Sequence, residues 1–291
     1  MALASNINLN DLIKFCNTEL QKIAAWLTAN KLAVNVNKCK YIIFHNTNKK
    51  INDNICLNFN FNEPGVVEDI DKIWRMDRVH TKNPNLEDRA YKYLGVYIDE
   101  NFNLNLHFDN ICKKLSKGLF CLRRAKNIID ARGLRTLYFA IFHSHLLYAS
   151  LILNCASATQ IKRVLTLQKK AVRIISNAKY NDHSAPLFCK LNILPFDKLL
   201  LFRKMCFMHK IIYGHPHCSF NQIWTANTGR NVQYNLRNNN QLTLVAPRFE
   251  RFKRFPIYDF ANTWNNLGDV KLQHNYAIFR SWLKSENFQN I

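Results

Sequence analysis

Near residue 104 the spacing of apolar residues changes period, and that change sets most of what the chain can become. Ahead of it "NICLNFNF" alternates apolar and polar residues with a period of two, and "YKYLGVYID" reads as a further strand. Beyond it Ile111, Leu115, Gly118, Leu119 and Leu122 recur at steps of three and four, the signature of a helix with one buried stripe. A helical period does not sit as a strand, nor a strand period as a helix. The expected fold class is therefore α+β: short antiparallel strands and a helix over residues 1–100, then a mostly helical remainder.

Within the first hundred residues, Asn10 and Asp11 offer N-caps to an amphipathic helix whose apolar positions are Leu12, Cys16, Leu20, Ile23, Ala24 and Leu27, ending near Asn30. "KLAVNV" and "KYIIFH", joined by "NKC", predict a hairpin. A polar insertion near 76–90 reads as a loop. The opening has none of the features of a secretory signal or a transit peptide. No uncharged apolar run approaches the roughly 20 residues of a membrane-spanning helix, so no membrane partner is expected.

The helical part carries the charge. Residues 1–100 hold 13 basic and 12 acidic residues, while residues 101–291 hold 28 and 8. A surplus so one-sided points to a polyanion, with nucleic acid ahead of an anionic membrane because no isolated amphipathic anchor stands out. A solvated basic face without a ligand is the alternative. Lys113, Lys117 and Arg124 share one face of the first helix. A second helical stretch covers roughly 131–152. In "ATQIKRVLTLQKKAVRIISNAK" the stripe Ile161, Val164, Leu165, Gln168, Val172 and Ile175 faces away from Lys162, Lys169 and Arg173. Residues 101–180 read as one helical domain, and 181–291 as a helical C-terminal region.

In that region Pro195 opens a helix over 195–213, a polar Asn-rich stretch near 225–247 reads as a loop, and a last helix runs over about 275–288. "PRFERFKRFPIYDF" alternates cations and aromatics, so Arg251, Lys253 and Arg254 could hold phosphates while Phe side chains stack bases. Equally, Phe249, Phe252 and Phe255 could dock on the core and leave the cations solvated. Nine Cys with no CxxC argue for reduced thiols, in nucleus or cytoplasm, rather than a disulfide framework. Cys206, His209, His215, His217 and Cys218 cluster in sequence but match no zinc spacing, so no metal site is expected.

Several blocks occur in a fixed order: "AWLTANKLAVNVNKCKYIIFH", "YKYLGVYIDENFNLNLHFDNI", "LQKKAVRIIS", "PLFCKLNILPF", then "YNLR" and "TWNNL". Together they resemble the C-terminal part of the reverse transcriptases of non-LTR retrotransposons, the jockey-like LINE polymerases. The resemblance implies a partial palm over 1–100, a helical thumb over 101–180 and the region beyond it. It matches Asn35 and Lys38 to the turn of palm motif D, with Cys39 where the family usually has Thr. It matches Lys92, Tyr93, Leu94 and Gly95 to the motif that grips the primer strand. "ALAS" at Ala2 to Ser5 resembles the stretch that follows the family's catalytic pair of aspartates, so the chain is expected to begin just past them.

The resemblance thus implies a truncated RNA-directed DNA polymerase that binds RNA or an RNA/DNA duplex without polymerising alone. Its partner would be the upstream polymerase portion, where Mg²⁺ is held by carboxylates. Asp69 with Asp71, Glu87 with Asp88, and Asp99 with Glu100 are expected to be solvated and no substitute. The alternatives are a stand-alone basic nucleic-acid-binding module or a non-functional remnant.

Overall fold

The first helix begins where a side chain replaces a missing backbone acceptor. In the computed structural model, which describes residues 3–6, 8–35, 38–45, 51, 55–60, 73–83, 89–214, 223–224, 241–247, 249–268 and 273–289, the cap is Asn8. Its side chain accepts from the Asn10 amide at 3.0 Å, two residues ahead of the expected caps. Helix α1 (Leu9–Ala29) ends in a Schellman motif: Leu32 N donates to Leu27 O at 2.9 Å and Lys31 N to Thr28 O at 3.0 Å. Lys31 takes the left-handed conformation there (φ 55°) that glycine usually supplies.

This cap explains one correction. The chain through Leu32–Asn35 forms no strand, because Val34 packs with Leu20 and Leu27 around buried Ala24 and so closes the helix instead. Among the described residues, "KLAVNV" and "KYIIFH" do not pair as the expected hairpin. Strand β1 (Lys40–Tyr41) instead pairs in parallel with β4 (Asp77–Arg78), Lys40 opposite Asp77. Strands β2 (Asn58–Asn60) and β3 (Ile73–Arg75) form an antiparallel ladder with Phe59 opposite Trp74.

"YKYLGVYID" is not one strand but a hairpin, β5 (Tyr91–Tyr93) and β6 (Val96–Ile98), with Tyr93 opposite Val96. Leu94 (φ 45°) and Gly95 (φ 82°) are both left-handed, as the two-residue turn that matches the twist of a hairpin requires. These elements belong to a unit spanning Met1–Asn103.

The second unit spans Leu104–Ile291 and takes in both 104–180 and 181–291. Helix α2 (Asn105–Ala125) buries Phe108, Ile111, Leu115, Gly118, Leu119 and Leu122. Helix α3 (Ala131–Tyr138) is capped by Asp130, whose carboxylate accepts from Gly133 N at 2.8 Å. The expected continuous helix over 131–152 is broken twice. A π-helical turn (Phe139–His143) leads into α4 (Ser144–Leu147), and a left-handed Ala149 (φ 53°) separates that from α5 (Ser150–Leu153).

Helix α6 (Ala158–Ile175) opens with a capping box: Gln160 N donates to Ser157 Oγ, and Ser157 N donates to Gln160 Oε1. Helix α7 (Ala185–Leu191) leads through Ile193 and Leu194 to α8 (Phe196–Ile212), which starts after Pro195. With Phe196, Leu199, Leu200, Phe202, Met205, Met208 and Ile211 all buried, α8 is the central helix, covered on most of its circumference. It packs against α5, α6, α9 (Pro256–Asn265) and α10 (Tyr276–Gln289). Its Lys204 is buried, held by Asp259 at 2.7 Å and Thr263 Oγ1 at 2.9 Å.

The protein is therefore mixed α+β and mostly helical, its sheet limited to three two-stranded ladders among the described residues. None of the described helices is long and apolar enough to cross a membrane. Asp69, Asp71, Glu87, Asp88, His215, His217, Cys218 and residues 225–240 lie outside the described residues.

Candidate nucleic-acid interface

The site is built on two parallel helices. Gln160 Nε2 donates to Asn105 Oδ1 at 2.6 Å where α6 and α2 begin, and Arg163 meets Asp109 at 2.7 Å one turn further along. Both buried stripes turn into the core, Leu115 and Leu122 on α2, Val164, Ala171 and Val172 on α6. The cations singled out by their spacing lie off those stripes.

On α2 these are Lys113, Lys117 and Arg124, all exposed; on α6 they are Lys162, exposed, with Lys169 and Arg173, half-buried. Each trio spans eleven residues, about 16.5 Å of helix rise. Across both helices ten Lys and Arg stand against one acid, Asp109, which Arg163 already engages.

These cations are not equally available. Arg173 Nε donates to the Asp182 carbonyl at 2.9 Å, which ties the end of α6 to the following loop. The stem of Lys169 is partly covered, as amphipathic side chains commonly are. Gln168, placed on the apolar stripe by its spacing, is fully buried; its amide donates to Tyr138 Oη and to Leu194 O, both at 2.9 Å.

The cation and aromatic run near the C-terminus forms a 3-10 turn (Glu250–Arg254) before α9. Lys253 pairs with Glu250 at 2.7 Å and Arg251 is half-buried, leaving Arg254 an exposed cation with no acid against it among the described residues. Phe252 and Phe255 are half-buried with ring centroids 6.2 Å apart, while Phe249 is exposed. Two of the three Phe residues thus dock and one stands out.

In the first unit Lys38 is exposed at the end of a turn closed by Lys38 N donating to Asn35 O at 3.1 Å. Lys92 is exposed with its ammonium 5.9 Å from the ring centre of Tyr97, its cross-strand neighbour. Tyr93 is half-buried, and Gly95 makes the turn.

Asp99 and Glu100, expected to be solvated, are 6% and 7% exposed. Asp99 accepts from the amides of Asn101 at 3.0 Å and Asn103 at 2.7 Å. Glu100 accepts from Thr81 Oγ1 at 2.7 Å and Thr81 N at 3.2 Å, with Arg78 at 3.4 Å and His45 at 3.6 Å. Burial alone would raise the Glu100 pKa, but Thr81, Arg78 and His45 outweigh it and hold the carboxyl below its usual range. Asp99 thus caps the turn that follows β6, and Glu100 ties that turn to Thr81 and Arg78. Asp99 Oδ1 and Glu100 Oε1 are thus engaged by the protein's own donors. Among the described residues, no three His, Cys, Asp or Glu side chains converge as a metal site would need.

One exposed residue of this face escaped the pattern reading. Phe120 lies on the α2 outer face between Lys117 and Arg124, 59% exposed, with the Arg124 guanidinium 5.4 Å from its ring centre. Its signal was present in the spacing: three residues after Lys117 and four before Arg124, it belongs to their face and not to the buried stripe.

The class these features define is a mixed, mostly helical protein with a cationic two-helix surface. Compared with protein-family models, curated proteins and solved structures, the chain matches none.

Proposed function

We propose that the chain holds the phosphate backbone of RNA, or of an RNA/DNA duplex, on the outer face of α2 and α6. In this reading it is the thumb-bearing part of an RNA-directed DNA polymerase of the non-LTR retrotransposon kind. The observation that carries the binding is the ten-to-one excess of cations over acids on two parallel helices whose other sides are buried. Exposed Lys and Arg gain little from one another, and their field favours a polyanion whose condensed counterions are released on contact. The ordered sequence blocks that resemble such polymerases supply the family, including its palm over the first hundred residues.

Catalysis is not assigned to this chain. Nucleotidyl transfer needs carboxylates with free oxygens on divalent metal, and Asp99 Oδ1 and the Glu100 oxygens are engaged by Thr81, Arg78 and nearby backbone amides. A polymerase portion bearing such carboxylates would be the chain's partner.

The test is the salt dependence of binding to an RNA/DNA duplex, read by fluorescence anisotropy. Replacing Lys113, Lys117, Lys162 and Lys169 by Gln should flatten the slope of log K against log salt by roughly 0.9 per contact, about 3 to 4 units in all. Arg173 is left in place because it also holds the Asp182 loop. A variant whose slope equals that of the unaltered chain would remove α2 and α6 from the interface.

A further inference from the structure

We infer that Phe120 and Arg124 form a stacking platform for one unpaired nucleobase, at the place where a duplex held on α2 and α6 becomes single-stranded. The inference rests on the backbone-binding reading above and extends it from charge to shape.

Three observations carry it. First, Phe120 has no structural use for its position: it points away from the stripe Leu115, Leu119 and Leu122 that builds the core, and leaves 59% of its surface in water. Second, it does not stand alone. Arg124, one turn further on, lies 5.4 Å from the ring centre, so a planar cation and an apolar ring share one surface. Third, the surroundings select the ligand. Lys117 and Lys113 continue the same face, Arg123 and Arg124 follow, and the sole acid of α2, Asp109, lies about 16.5 Å of helix rise away and is paired with Arg163. A purely apolar partner would have to strip water from these cations. An acidic peptide would satisfy the charge but brings no flat ring of necessity. A nucleotide strand brings both, a phosphodiester for the lysines and a base whose π face fits an aromatic side chain whatever its identity.

The spacing agrees. Lys117 and Phe120 are separated by three residues, about 4.5 Å of rise, on the scale of the 3.4 Å that one nucleotide advances along a strand. A strand whose last paired phosphate sits on Lys117 would bring its next base to Phe120. A fully paired duplex has no free base face to offer except at its blunt end, so the platform discriminates a junction from an uninterrupted helix.

The experiment compares two probes with the full chain: a blunt RNA/DNA duplex, and the same duplex with a short single-stranded extension carrying 2-aminopurine at the first unpaired position. The unaltered chain should bind the extended probe more tightly and change the 2-aminopurine emission. Phe120→Ala should cost roughly tenfold in affinity for the extended probe, leave the blunt duplex within about twofold, and abolish the emission change. Phe120→Trp should restore all three, which a merely structural role would not predict. Since Phe120 lies outside the core, far-ultraviolet circular dichroism of the variants should match the parent.

Equal weakening of both probes by Phe120→Ala, or none, overturns the platform while leaving the backbone reading intact. Loss of salt-dependent binding altogether would overturn both. An acidic peptide competing through Phe120 more effectively than the extended strand would also overturn it, and would make the surface a protein contact.

Discussion

Glu100 accepts from three donors on two residues inside the first unit, Thr81 twice and Arg78, with His45 nearby at 3.6 Å, although it is nearly out of water. Glu100→Gln keeps the shape and removes the charge. It should destabilise this unit by about 1–3 kcal/mol in chemical denaturation, the range for hydrogen bonds to a charged group. The pH dependence has a definite sign. Because the folded carboxyl is held below its ordinary value of 4.5, its contribution is full above that value and is lost as pH falls through the lower, folded one. The Gln variant should lose that acid-side fall. Leu94 offers the opposite outcome. It is 73% exposed and held at φ 45°, so little burial opposes the strain of a left-handed leucine. Leu94→Asn should raise the stability of this unit by about 1 kcal/mol, and a melting temperature that falls instead would show that the turn depends on the leucine side chain.

At the level of elements, helices were legible because a stripe at three and four needs no distant partner to be recognised. The strands were legible only in part: β2 falls within the alternating "NICLNFNF" and β5 and β6 within "YKYLGVYID", but their pairing was not. Strand β1 finds its neighbour in β4 across Lys40 and Asp77, and nothing local in "KYIIFH" names that partner. The candidate surface was legible to the same depth: helical phase put Lys113, Lys117 and Lys162 outside, but the Asp182 carbonyl on Arg173 and the Glu250 carboxylate on Lys253 belong to loops and turns that the pattern does not fix. Gln168 shows the limit from the other side, a polar residue on a buried stripe that is there to donate to Tyr138 and Leu194. Gln168→Leu should cost about 1–3 kcal/mol in thermal or chemical unfolding, since it leaves two buried oxygens without their donor. Gly118 tests the packing of α2 on the π-helical turn. A Cβ there would meet Phe142 at 3.4 Å, an ordinary contact, so Gly118→Ala should be neutral or stabilising by up to about 1 kcal/mol through helix propensity. Gly118→Leu should destabilise by about 1–3 kcal/mol by forcing Phe142 and Ile141 aside.

On the scale of the whole molecule, the second unit carries a built-in sensitivity to acid. Burial, with some help from Lys114, lowers the His107 pKa to about 4, and burial alone does the same to His143. Each is neutral when folded and readily protonated at its ordinary 6.5 once unfolded, so the unfolded state gains protons first. Stability should therefore fall as pH drops from about 6.5 to about 4 and level off below that. Thermal unfolding followed across this window should show the decline, and His107→Gln together with His143→Gln should flatten it. A decline unchanged in the double variant would place the sensitivity elsewhere.

The parallel course of α2 and α6 has an electrostatic consequence along their length. Antiparallel neighbours cancel each other's peptide dipoles, whereas these two add, which would leave a positive pole near Asn105 and Gln160 and a negative pole at the far end. That negative pole is where Arg123, Arg124 and Arg173 stand, in the last turns of the two helices. The arginines offset a potential that would otherwise fade from one end of the surface to the other. A bound strand would then meet a nearly level attraction over its whole contact, with no electrostatic slope to push it toward either end.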